Sequence, residues 1–180
     1  MSLVRMFTLL LLFISGPSAA SDIPGMYLQV AEEQDVPAKL FYAIILNESR
    51  SANKHINRVL PWPWPWTINH RGTPHFFHNR AAAYRFARQL VESGDYQFDV
   101  GLGQMNWRWH RHRFSDLWDA LDPYMNLTAS AAHLREQYER PECNSWDLAI
   151  GCYHRPAQKP LDKRIAANYR ERVMKLWSNI

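Results

Sequence analysis

No internal repeat and no polar run long enough to act as a linker interrupts these 180 residues, so the chain reads as one domain able to bury a sizeable core. Apolar runs are short too: Met6 to Ile14 falls well below the ~20 residues a membrane-spanning helix needs. Cysteine occurs only at Cys143 and Cys152, and two thiols with scattered histidines make no recognisable zinc site. The net charge of +4 favours anionic partners only weakly, and no nucleic-acid motif of known spacing accompanies it. These absences exclude a repeat array, a zinc-built module and a motif-bearing nucleic-acid reader.

What is present begins with an export signal. Arg5 supplies a positive charge, Met6 to Ile14 an apolar core, and Pro17-Ser18-Ala19-Ala20 a small-residue cleavage site. A signal peptide is therefore expected over residues 1–20, with a mature domain over 21–180 and an uncleaved membrane anchor as the alternative. Removing Arg5 leaves a mildly basic domain. In an oxidising compartment Cys143 and Cys152 are expected to form a disulfide stapling a loop to the following helix, with two buried thiols as the alternative.

Periodicity predicts a mainly α fold with one small β-hairpin. A short helix lies between Ser21 and Asp35, and a second opens at Val36-Pro37. The run Trp62-Pro63-Trp64-Pro65-Trp66 cannot be helical, because each proline removes a donor and disfavours helical geometry before it. Trp66 to Asn69 and Pro74 to Phe77, joined through Arg71-Gly72, read as the hairpin. A short extended piece is expected over Tyr96 to Val100, and further helices after Asn79, after Asp122-Pro123, from Ser145 to His154 and from about Leu161 to Trp177.

The second helix carries the leading candidate for chemistry. Phe41, Ile44, Ile45 and Glu48 stand at i, i+3, i+4 and i+7, which puts a carboxylate on the apolar stripe. Burial would force an ion pair, strong hydrogen bonds or a pKa raised toward neutrality, and the last makes a general acid usable near pH 7. A frayed end, with Glu48 capping a turn or pairing with Arg50, is the plainer explanation. Tyr153 ends a later apolar stripe in the same way, after Trp146, Ala149 and Ile150.

Glu48-Ser49, then Gly101-Leu102-Gly103-Gln104, then Cys152-Tyr153-His154 form an ordered set that resembles the lysozyme-like lytic transglycosylases of bacterial peptidoglycan. Trp64 to Asn69, Asp99 to Asn106 and Tyr153-His154 are most similar to the small exported enzymes of conjugation, pilus and type III or IV secretion systems. The likeness spans roughly residues 24–177. Two departures stand out: Gly103 replaces the family's Met and is expected to loosen packing, and His154 replaces an Asn.

The resemblance implies a periplasmic, lysozyme-like α+β enzyme that cleaves between N-acetylmuramic acid and N-acetylglucosamine and leaves 1,6-anhydro ends. It implies Glu48 as the acid and Tyr153 as the phenol that donates a hydrogen bond to it, with Ser49, Gln104, Asn106, His154 and Tyr169 as substrate contacts. Ser49 equally suits a helix cap, and Tyr169 a core position. Glycan strands are the expected partner, with secretion, pilus or conjugation subunits besides; no nucleic acid, metal or organic cofactor is implied, and a monomer is expected. Trp62, Trp64, Trp66, Phe76, Phe77, Trp107 and Trp109 divide evenly between core and sugar-stacking roles. His70, His75, His78, His110, His112, Arg108, Arg111 and Arg113 read as a solvated basic rim. Two rivals stand: a goose-type lysozyme hydrolase using Asp95 or Asp99 to place water, and a non-catalytic peptidoglycan-binding module docking through the Trp/Pro run.

Overall fold

A computed structural model describes residues 23–51, 62–155 and 159–180. The expected signal peptide lies outside them. Helices dominate, and the local signals explain where most begin. Helices α1 (Gly25–Glu33) and α2 (Ala38–Ser49) each follow a proline, Pro24 and Pro37, whose fixed φ suits a helix start. Helix α3 (Arg80–Glu92) is capped by Asn79, whose Oδ1 accepts from the Ala82 N–H at 2.8 Å. Two short helices follow, α4 (Trp107–His110) and α5 (Leu117–Ala120). Four residues carry no readable period, and neither was expected from sequence. Asp122 caps α6 (Pro123–Tyr138) by accepting from Tyr124 and Met125, Ser145 caps α7 (Trp146–His154), and α8 (Pro160–Trp177) closes the chain. Among the described residues no helix is long and apolar enough to cross a membrane.

Helix α2 is less one-sided than its stripe implied. Every residue from Leu40 to Leu46 is buried, so the helix is a central strut packed against α1 and α8. Its C-terminus is held from outside. Strand β1 (Arg50–Ser51) pairs antiparallel with β2 (Trp62–Pro63), and the Trp64 N–H donates to the Ser49 carbonyl at 2.9 Å. Part of the Trp/Pro run thus satisfies a helix-terminal carbonyl that would otherwise lack a partner.

The hairpin is present as β3 (Thr67–His70) and β4 (Thr73–Phe76), with Arg71 and Gly72 in the left-handed region at φ 53° and 84°. It belongs to a larger antiparallel sheet in the order β4-β3-β5-β6, where β5 is Phe98–Val100 and β6 Met105–Asn106. Two cores result. One, among the helices, holds Phe41, Ile44, Leu127, Leu134, Ile150 and Val173; the other, under the sheet, holds Ile68, Phe98, Val100, Met105, Leu117 and Leu121. Cys143 and Cys152 are disulfide-bonded, tying the turn before α7 to that helix.

Candidate active site

Glu48 is half-buried in the last turn of α2 and lines a cleft of about 700 Å³. Burial away from water pushes its carboxyl up to about 7, against the opposing effect of a hydrogen bond from Tyr169; the negative charge of Asp99 adds to the rise, and Arg172 counters it. The Tyr169 hydroxyl donates to Glu48 Oε1 at 2.5 Å. This corrects the sequence expectation, which gave that bond to Tyr153. The Tyr153 hydroxyl donates instead to the Gly103 carbonyl at 2.8 Å. Both phenols are buried, and both are held protonated by that burial and by the nearby carboxylate. Tyr169, 1% exposed, is a positioning group and not a substrate contact.

The glycine turn is clamped by a residue that sequence reasoning missed. Asn126, fully buried on α6, accepts from the Gly103 N–H at 2.8 Å and donates from Nδ2 to the carbonyls of Val100 and Ala120. A Cβ on Gly101 would stand 2.3 Å from that amide, and Gly101 also sits at φ 79°. Gly103 does not loosen the packing. A Cβ there would meet Ser130 Oγ at 1.8 Å and the Tyr153 hydroxyl at 2.9 Å, so the space of a larger residue is already filled. The spacing of Asn126 on its helix gave no sign of this, since an asparagine near a helix start usually faces water.

The other expected contacts divide. Ser49 is 1% exposed and donates to the Ile45 carbonyl at 3.1 Å, which makes it a helix-end residue and not a substrate contact. Gln104, at φ 47°, lines the cleft but commits its amide nitrogen to the Gly101 and Thr67 carbonyls, leaving its oxygen to face a ligand. Asn106 lines the cleft and donates to Asp99 Oδ1 at 2.8 Å. His154 lines it as well, stacked on the Tyr169 ring at 4.5 Å. Asp99 shares the cleft with Glu48, and its own carboxyl is pushed up by burial. Asp95 lies away from it. Bonds from His70, the Gln97 N–H and Arg71 lower that carboxyl to about 2, which removes it as a water-positioning candidate.

Of the tryptophans and phenylalanines among the described residues, Trp109 is the one that lines the cleft, 67% exposed on α4. Trp107 is buried, and Trp64 binds the Phe77 carbonyl through its indole N–H. The basic rim holds for His78, Arg108, Arg111 and His112, which are exposed, but not for Arg113 and His110. Arg113 makes a two-pronged pair with Glu136, at 2.7 and 2.5 Å, and its Nε donates to His110. The rings of His110 and His133 meet at 4.5 Å, and burial lowers them to about 3 and about 4, so both stay neutral at pH 7. His133 and His110 thereby form an uncharged stretch of the cleft beside Tyr153.

Among the described residues no group of three His, Cys, Asp or Glu side chains converges on a point where a metal ion would sit. No protein-family model, no curated protein and no solved structure matches the chain. What the arrangement offers chemically is one proton-donating carboxyl with a pKa near neutrality, a second carboxyl in the same cleft, and amide groups around them.

Proposed function

We propose that the protein is a peptidoglycan lytic transglycosylase, and the observation that carries this is Glu48: a carboxyl at about 7, oriented by Tyr169, in a cleft large enough for saccharide rings. A group of that pKa serves in both directions near neutral pH. In its protonated form it gives its proton to the glycosidic oxygen as the bond from C1 of N-acetylmuramic acid breaks, releasing the 4-hydroxyl of N-acetylglucosamine. The N-acetyl oxygen of the muramic residue stabilises the positive charge developing at C1, which removes the need for a second carboxylate. Glu48, now ionised, takes the proton of the C6 hydroxyl as O6 bonds to C1. The 1,6-anhydro ring closes without water, and the acid is regenerated.

Export fits the same reading. The Cys143–Cys152 bond suits an oxidising compartment, and we place the mature chain in the periplasm, opening the wall locally for a conjugation, pilus or secretion apparatus. A second reading is favoured by Asp99, which shares the cleft with Glu48 and would place water for hydrolysis. Mass spectrometry of digested sacculi separates the two. Muramic ends one water lighter than ordinary reducing ends are expected from the wild type, and no release from Glu48→Gln. Ordinary reducing ends would transfer the assignment to the hydrolase, and equal release by both proteins would remove Glu48 as the acid.

A further inference from the structure

Helices α7 and α8 approach closely at one point. A Cβ placed on Gly151 would stand 3.2 Å from the Cβ and from the carbonyl oxygen of Ala166, so a larger residue at 151 would press the helices apart. Three residues further along each helix, His154 and Tyr169 meet. Their ring centroids are 4.5 Å apart and the ring planes lie 2° from parallel, the arrangement of an offset stack.

The two rings differ in what they face. Tyr169 is 1% exposed, behind the cleft wall. His154 is exposed, lines the cleft and covers one face of the phenol. The hydroxyl at the far end of that phenol donates to Glu48. A chain of contacts therefore runs from the cleft surface through His154 and Tyr169 to the acid. Burial, together with the positive charges of Arg172 on α8 and Arg155 at the end of α7, holds the imidazole below the ordinary histidine range, so it is neutral at pH 7. A neutral flat ring excludes water without bringing a charge of its own.

We infer that His154 is a positioning residue for the acid: its ring shields Tyr169 from cleft water, and so maintains both the Tyr169–Glu48 bond and the dry surroundings of the carboxyl. The inference rests on the reading of Glu48 as the acid and adds the residue that keeps that acid as it is. His154 stands where the resembled family carries an Asn, whose amide has no ring to lay on a phenol. The direction of its influence follows from the two effects that meet at Glu48. Burial raises the carboxyl more than the Tyr169 bond lowers it, so opening the stack to water weakens proton binding even where the bond is loosened as well. Asp99 of β5 and Arg172 of α8 are the charged groups acting on Glu48, and changing residue 154 alters neither.

Carboxyl-carbon NMR of protein carrying labelled glutamate reads this effect, with the Glu48 signal assigned by its loss in Glu48→Gln. In the wild type that signal should titrate at about 7. His154→Ala uncovers Tyr169, and proton binding by Glu48 should weaken roughly tenfold. His154→Phe lays a flat ring over the phenol again and should recover most of that difference, whereas His154→Asn should behave as His154→Ala does. Residue 154 is at the exposed end of α7, and circular dichroism checks that each variant is folded. A Glu48 titration that stays put in His154→Ala, that moves to higher pH, or that His154→Phe does not restore would overturn the role of His154. The readout is proton binding and not product. An unmoved titration therefore leaves the transglycosylase reading standing, and ordinary reducing ends from sacculi would overturn that reading while a restored titration still upheld His154.

Discussion

The cleft is lined by two kinds of surface that treat polar groups in opposite ways. Its helical part, from α2, α6 and α7, sets one carboxyl against the helical core, and a single phenol from α8, buried behind the cleft, bonds it. Its sheet part, from β3, β5 and β6, sets amides and a carboxylate in an open hydrogen-bonding row. The helical surface changes a proton's affinity and the sheet surface fixes where donors and acceptors stand. Asp95 shows what a carboxyl becomes with neither treatment: paired with His70 and Arg71 at the hairpin, it falls to about 2. A raised proton affinity and a fixed row of donors and acceptors thus come from different secondary structure, and the turn from Gly101 to Gln104 joins the two.

That junction gives the largest effect. Asn126 binds the Gly103 N–H, the Val100 carbonyl just before the turn and the Ala120 carbonyl at the end of α5. Asn126→Ala should destabilise the protein by about 3–4 kcal/mol, since it leaves those buried groups unpaired. Urea denaturation measures it. A loss below about 1 kcal/mol would mean that water replaces the amide and that the two surfaces are joined by packing alone.

The helical surface has a stability consequence with a definite sign. Glu48 has its pKa raised in the folded state from 4.5 to about 7, so folding disfavours its ionised form. Below pH 4.5 the folded and unfolded chains are both protonated there, and the group contributes no difference. As pH climbs from 4.5 to about 7 the wild type loses stability that Glu48→Gln keeps, and the gap then stays constant. It should reach about 2–3 kcal/mol, read as melting temperatures of both proteins at pH 4 and pH 8. A gap unchanged between these pH values would mean that the carboxyl is solvated after all.

How much of this the sequence disclosed follows from range. The long helices were legible because their period runs over nine or more residues and their caps, Asn79, Asp122 and Ser145, sit beside them. Glu48 was legible for the same reason. Beyond the hairpin, the extended piece read over Tyr96 to Val100 contains β5, but the pairing of β5 and the two-residue β6 were not legible, since both exist through contacts distant in the chain. Arg113 and His110 looked like surface charge until Glu136, 23 residues after Arg113, turned the arginine inward. The two tyrosines were interchangeable on the same ground. Each lies on an apolar stripe, and which hydroxyl meets Glu48 depends on how α8 crosses α2, across 121 residues of chain.

That exchange of tyrosines carries the smallest effect and the sharpest one for the comparison. The Tyr169 hydroxyl donates to the Glu48 carboxylate and favours its ionised form, so Tyr169→Phe should raise the carboxyl above about 7. The alkaline limb of the pH–rate profile for muropeptide release then moves to higher pH. The plateau rate falls by roughly tenfold, because the acid loses its orienting bond. Tyr153→Phe removes a hydroxyl bound to the Gly103 carbonyl, so it should lower stability by about 1 kcal/mol and leave the limb in place. A merely structural Tyr169 would lower the rate without moving the limb. If Tyr153→Phe moves it and Tyr169→Phe does not, the phenol that governs the acid belongs to α7, and the division of labour between the helices must be redrawn.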